Sequence, residues 1–225
     1  MGSLTNKVVF ITGGGSGLGK AAALAAAKEG AKVAVMGRQP QKLQETVEAI
    51  QASGGQAIAV RGDVSQLSDI KQAVAEVAAA YGTVHVLVNN AAVFIANSLA
   101  DTSLPDWQHQ MQVNVTGPLL LTQALLPQMR EQREGIIINV TSSMADNGSG
   151  GYAAYGASKA ALESITRTLA EEEEEYGIRA HLFNPGQIRT AMHATGKEPE
   201  QVVSQLIELA IWHKQQPNGQ HIQVS

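Results

Sequence analysis

Short apolar runs rich in β-branched residues alternate along the chain with longer stretches whose apolar residues recur every three or four positions. The runs at 7–12 (KVVFIT), 32–36 (KVAVM), 56–61 (QAIAVR), 84–89 (VHVLVN), 135–140 (GIIINV), 179–183 and 221–224 have the length and composition of buried strands. The fifth is the most apolar and is expected at the centre of a sheet. Between them lie helical patterns. An alanine-rich stretch at 20–29 stops at Gly30, and the 40–53 stretch places Leu43, Val47 and Ile50 on one face. Ser65 is expected to cap a helix running to Tyr81, with Ile70, Val74 and Val77 inward. A long helix opens at 101–105 and carries Trp107, Met111, Val115, Leu119 and Leu120, weakened at Gly117-Pro118. Another runs from before Tyr155 through Ile165 and Leu169 to the acidic run 171–175, and a last one spans 198–214. Alternation of this kind predicts an α/β fold: one doubly wound domain over 1–225, with a mostly parallel seven-stranded sheet and helices on both faces.

Composition narrows the function classes. A net charge of −4 with no Lys/Arg-rich block argues against nucleic acid and anionic membranes as partners. No apolar run approaches the length of a membrane span. The N-terminal residues carry no signal-peptide pattern, and a cytoplasmic location is expected. The absence of cysteine excludes disulfides and thiolate chemistry. The six histidines are scattered, so no metal site is expected. The five acids at 171–175 read as a solvated helix end with no catalytic role.

Chemistry is concentrated at the ends of the predicted strands. The first strand meets Gly13-Gly14-Gly15-Ser16-Gly17-Leu18-Gly19 and then a helix. Glycines there permit positive φ and close backbone approach, and the helix N-terminus offers free N–H groups to a pyrophosphate. The second strand ends at Gly37-Arg38. A carboxylate at that point would bind the 2′-hydroxyl of NAD. Its absence, with a guanidinium next to it, favours the 2′-phosphate of NADP, with NAD(H) as the alternative. Tyr155 and Lys159 stand four apart, on one helix face, where an ammonium can tune a phenol for proton transfer.

Taken together, Thr12-Gly13-x-x-x-Gly17-x-Gly19, Asp63-Val64, Asn89-Asn90-Ala91, Asn114, Ser142, Tyr155-x-x-x-Lys159 and Pro185-Gly186-x-x-x-Thr190 resemble the short-chain dehydrogenase/reductase family over nearly the whole chain. The resemblance implies a Rossmann-type NADP-dependent carbonyl reductase acting on a ketone or secondary alcohol. It implies that Gly13, Gly15, Ser16, Gly17, Leu18 and Gly19 line the pyrophosphate and ribose, with Arg38 at the 2′-phosphate. Asp63 and Val64 would hold the adenine. Asn90 and Ala91 would contact the nicotinamide-side ribose, and Pro185, Gly186, Ile188 and Thr190 the nicotinamide end. Tyr155 would be the general acid/base, Lys159 would lower its pKa and grip the ribose, Ser142 would hold the substrate oxygen, and Asn114 would anchor a proton relay. The resemblance also implies a homodimer or homotetramer, for which the small residues Gly156, Ala160 and Ser164 would permit close helix packing. Three departures stand out: Ala92 where glycine is usual, His85 where an aspartate is frequent, and a short lid at about 187–214. The short lid predicts a permissive pocket walled by Phe94, Met144, Gln187 and Met192.

Overall fold

A computed structural model describes residues 2–190, 194–211 and 217–224. Seven strands form one sheet in the order β3-β2-β1-β4-β5-β6-β7. They are β1 Val8–Thr12, β2 Lys32–Gly37, β3 Gln56–Arg61, β4 Val86–Asn89, β5 Gly135–Val140, β6 Ile178–Asn184 and β7 His221–Gln223. Every neighbouring pair is parallel, so the sheet is wholly parallel and not just mostly so. The strand order reverses between β1 and β4, and a crevice opens at their carboxyl ends.

Helices α1 Gly17–Lys28, α2 Pro40–Ala52 and α7 Pro199–Ala210 cover one face, packed on Val9, Ile11, Val33 and Val35. The other face carries α3 Leu67–Tyr81, α5 Gly117–Gln132 and α6 Ala153–Glu172, packed on Val8, Phe10, Ala34 and Met36. Successive strand residues thus feed opposite cores, as the two-residue period of a strand requires.

The helix boundaries depart from the sequence expectation in four places. Gln66, not Ser65, precedes α3, because the Ser65 N–H is turned back onto the Asp63 carboxylate at 2.9 Å. The helix expected from 101 begins at α4 Leu104–Met111, after Ser103 accepts the Asp106 N–H. It passes through a π turn at Gln112–Thr116 before α5. Gly117 is required there, since a Cβ would lie 2.7 Å from the Val64 carbonyl oxygen. The acidic run is not a uniformly solvated end: α6 stops at Glu172, and Glu173 is 2% exposed and held in a bidentate pair by Arg130 from α5. At the C-terminal end α7 closes at Ala210, and expectations for 212–216 lie outside the described residues.

His85 takes over the hydrogen bond in doubt at its position. Its Nδ1 accepts the Val8 N–H at 3.1 Å, while its own N–H donates to Val8 at 2.9 Å. Burial, with Lys7 nearby, pushes its pKa below the usual value against the pull of Glu134. His181, fully buried on β6, accepts the Gln220 N–H at Nδ1 and leaves Nε2 without a partner. Burial, reinforced by Arg179, pushes it down to about 4. The His181 imidazole is neutral in the folded chain down to about pH 4, while a histidine in the unfolded chain titrates near ~6.5. Between those values the unfolded state binds more protons, so stability falls as pH drops from about 6.5 towards 4. The expected loss is on the order of 2–3 kcal/mol. Denaturation at pH 7, 6, 5 and 4 checks this, with His181→Asn, which keeps an acceptor for Gln220, giving a shallower slope. A wild-type midpoint flat across that range would refute it.

Candidate active site

The glycine turn closes the β1–α1 junction against β2. Gly13 N–H donates to Met36 O at 2.8 Å. Gly13 and Gly17 have φ of 69° and 52°, the left-handed region that glycine enters without strain. A Cβ on Gly19 would lie 2.3 Å from Gly13 O, so only glycine lets α1 start this close to the turn. Ser16 is extended and caps none of the first N–H groups of α1 with its side chain, and no acid stands in that first turn. Those N–H groups and the positive end of the helix therefore face the crevice. This is a cradle fitted to a diphosphate.

Asn90 sits across the turn, but its amide is used within the chain. Nδ2 donates to Thr12 O at 2.9 Å, and the N–H groups of Asn90 and Ala91 donate to Thr12 Oγ1 at 3.1 and 3.0 Å. The Asn90 amide nitrogen thus braces β1 against β4. Asn90, Ala91 and Ala92 still line the crevice.

Tyr155, Lys159 and Ser142 meet at the mouth of β5. Ser142 stands close enough to the Tyr155 hydroxyl to lower its pKa, and its Oγ accepts the Met144 N–H at 3.3 Å. Lys159 is 3% exposed, donates to Val140 O at 2.8 Å, and stands 5.7 Å from the Tyr155 ring centre. Burial pushes the phenol up to about 12, against the lowering pull of Ser142. Burial also brings the Lys159 ammonium down to about 8. Desolvation dominates at the phenol, which stays protonated at neutral pH with the Lys159 ammonium 5.7 Å from its ring centre.

Asn114 lies in the π turn and is 0% exposed. Its Oδ1 accepts the Val93 N–H at 2.8 Å, and its Nδ2 donates to Val93 O and Ser158 Oγ at 2.9 and 3.0 Å. Ser158 in turn donates to Tyr155 O at 2.7 Å. Asn114 thus ties the segment after β4 to the turn of α6 that bears Tyr155.

One continuous cavity of about 400 Å³ joins these groups to the end of β2. It is lined by Gly13, Gly15, Ser16, Gly17, Leu18, Arg38, Asp63, Val64, Ser142, Tyr155, Lys159, Pro185, Gly186, Ile188 and Thr190, which the sequence singled out. It is also lined by Thr141, Gln39 and Lys42, which the sequence reading missed. Lys42 rides on the first turn of α2 beside Gly15, whose Cβ would lie 3.1 Å from Lys42 Cβ. Arg38 stands in the bend between β2 and α2, so no helical spacing ties Lys42 to it in the sequence. Gly37 carries no packing demand for glycine, since a Cβ there would make ordinary contact with Leu43 at 3.4 Å. Arg38 is 4.0 Å from the Asp63 carboxylate and 61% exposed.

The expected substrate walls divide. Phe94 abuts Tyr155 edge-on at 4.9 Å and stacks on Tyr152 at 5.1 Å, forming an aromatic flank beside the phenol. Gln187 instead turns to Thr195 at 3.0 Å, and its segment is held by Ile188–Lys197 pairing and an Arg189–Glu198 ion pair. The Met144 carbonyl lies where a Cβ on Gly156 would reach 2.7 Å, so glycine is needed there for packing within the chain. Met192 lies outside the described residues. Among the described residues no cluster of three potential metal ligands occurs, and no helix is long and apolar enough to cross a membrane.

Comparison with known proteins agrees with this arrangement. A family model for short chain dehydrogenases matches residues 7–201. An uncharacterized oxidoreductase of Thermotoga maritima is 42% identical over 180 residues, covering 80% of this chain and 71% of that protein. A 3-oxoacyl-(acyl-carrier-protein) reductase of Synechocystis is 38% identical over 193 residues, covering 85% of this chain and 78% of that protein. The crystal structure of a metagenomic short-chain oxidoreductase in complex with NADP superposes with a TM-score of 0.90 at 32% identity, covering 99% of this chain and 98% of that one.

Proposed function

The chain belongs to the short-chain dehydrogenase family, nicotinamide-dependent oxidoreductases acting on CH–OH and C=O groups, and we propose that it is an NADPH-dependent reductase of ketones, working reversibly on the secondary alcohol. The observation that carries the reading is the single cavity with Ser142, Tyr155 and Lys159 at one end and Arg38 and Lys42 at the other.

The cradle fits a dinucleotide: Gly13 to Gly19 would hold the pyrophosphate, and Asp63 and Val64 the adenine. Bound there, the nicotinamide supplies the hydride and, once oxidised, a positive charge. The chain's own residues supply the rest. Ser142 and Tyr155 point two hydroxyl donors at one place, where a carbonyl oxygen gains negative charge. Tyr155, protonated at neutral pH, gives that oxygen its proton. The tyrosinate left behind faces the buried ammonium of Lys159, which favours the charged phenol at that moment. A protonated donor at rest suits the reductive direction. Asn114 and Ser158 hold the turn that carries the donor.

The choice of NADPH rests on the bare Gly37 and the two cations beside it. Room for a side chain exists at Gly37, yet no carboxylate stands there to repel a 2′-phosphate. The structure of the NADP-bound relative supports the same cofactor. The expected result is a kcat/KM with NADPH above that with NADH. Arg38→Ala lowers that ratio about 10- to 100-fold, the worth of a charge-assisted phosphate contact. Lys42→Ala lowers it by a smaller factor. Wild-type preference for NADH, from initial rates with both cofactors, would overturn the assignment of Arg38.

A further inference from the structure

Glu163 is a buried acid that the chemistry above does not use. It is 2% exposed, one turn beyond Lys159 on α6. Its Oε1 accepts from Thr141 Oγ1 at 2.7 Å, and its Oε2 faces Arg167 Nη1 at 3.3 Å. Burying a carboxylate is costly, and an apolar residue of similar size would fill the same space. The position of its partner explains the choice. Thr141 lies between Val140, whose carbonyl receives Lys159, and Ser142, whose hydroxyl meets Tyr155. Two consecutive residues at the mouth of β5 are therefore fastened to residues one turn apart on α6, Val140 to Lys159 and Thr141 to Glu163, and Ser142 follows beside Tyr155 on the same face.

We propose that Glu163 is a positioning residue, which acts through the Thr141 hydroxyl to lock the mouth of β5 onto α6 and so fixes the gap across which Ser142, Tyr155 and Lys159 work. Thr141 N–H also donates to Phe183 O at 2.9 Å, and Asn139 is tied to Thr166 at 2.7 Å deeper in the sheet. Those bonds anchor the body of β5 independently. Loss of the Thr141–Glu163 bond therefore loosens the mouth and not the strand. A displacement of about 1 Å at reacting groups costs up to ~100-fold in rate.

The inference rests on Tyr155 as proton donor, and Tyr155→Phe is assayed alongside to keep the two apart. Thr141→Val removes the hydroxyl at nearly constant shape, and Glu163→Leu removes the acceptor. Each is expected to lower kcat for ketone reduction about 10-fold or more, with NADPH affinity by fluorescence within about twofold. The double variant falls no lower than the worse single, because both break one tether. Thr141→Ser and Glu163→Gln, which keep the bond, stay within about threefold of wild type. Amide exchange at 140–145 rises in Thr141→Val and Glu163→Leu while that at 160–170 does not, a readout independent of turnover. Unchanged kcat and exchange in Thr141→Val overturn the proposal, as do multiplying losses in the double or losses confined to cofactor affinity. If Glu163→Leu fails to fold, the Thr141→Val and Thr141→Ser pair decides on the same criteria. An active Tyr155→Phe overturns the proton donor alone.

Discussion

Tyr155→Phe lowers kcat for ketone reduction by about three orders of magnitude and leaves NADPH affinity within about twofold. The phenol ring packs edge-on against Phe94 at 4.9 Å, so it keeps its packing when only the oxygen is removed. What disappears is the proton and one of two donors at the carbonyl oxygen. A general acid contributes ~10²–10⁴-fold, and a lost donor to a developing oxyanion contributes ~10²–10³-fold; acting on one oxygen, the two do not multiply. Binding of the dinucleotide draws on the glycine turn and the end of β2, which the substitution does not touch. Initial rates with cofactor titration by fluorescence check both halves. Turnover within tenfold of wild type would remove Tyr155 from the role of acid.

Lys159→Met has a different signature: kcat falls about 10²- to 10³-fold, and NADPH affinity falls with it. Lys159 is buried, and methionine fills much of the same space. The substitution leaves Val140 O without its donor and takes the cation from the side of the tyrosinate. It also removes a charged donor from the cavity wall, where the resemblance places the nicotinamide ribose. The split between the variants is therefore diagnostic: loss of rate alone in Tyr155→Phe, against loss of rate and of cofactor affinity in Lys159→Met. Unchanged NADPH affinity in Lys159→Met would refute the second role.

Local constraints made the centre of this site legible in the sequence. A strand, a glycine turn and a helix start within about a dozen residues, and their geometry is dictated by φ at Gly13 and Gly17. Tyr155 and Lys159 share a face because a helix repeats every 3.6 residues. Other features depended on which elements pack together. Lys42 reaches the cavity only because α2 lies against Gly15. Glu173 is buried because Arg130 arrives from α5, so an acid inside a charged run takes on a structural role unlike its neighbours. The π turn that carries Asn114 is followed by Gly117, which packs against Val64, a contact across more than fifty residues. The high pKa of Tyr155 likewise reflects how deeply the assembled loops bury it, which spacing from Lys159 does not reveal.

His85 bears on how such chains are recognised at all. The backbone N–H of Val8 finds an imidazole nitrogen where a carboxylate oxygen is frequent, and the sheet register beside it is intact. The position demands a lone pair directed at one amide, and charge is incidental to it. A search pattern written as an acid at this point would pass over chains that meet the same demand with histidine or asparagine. What His85 supplies is an acceptor, and protonation of Nδ1 would cost the chain that bond to Val8.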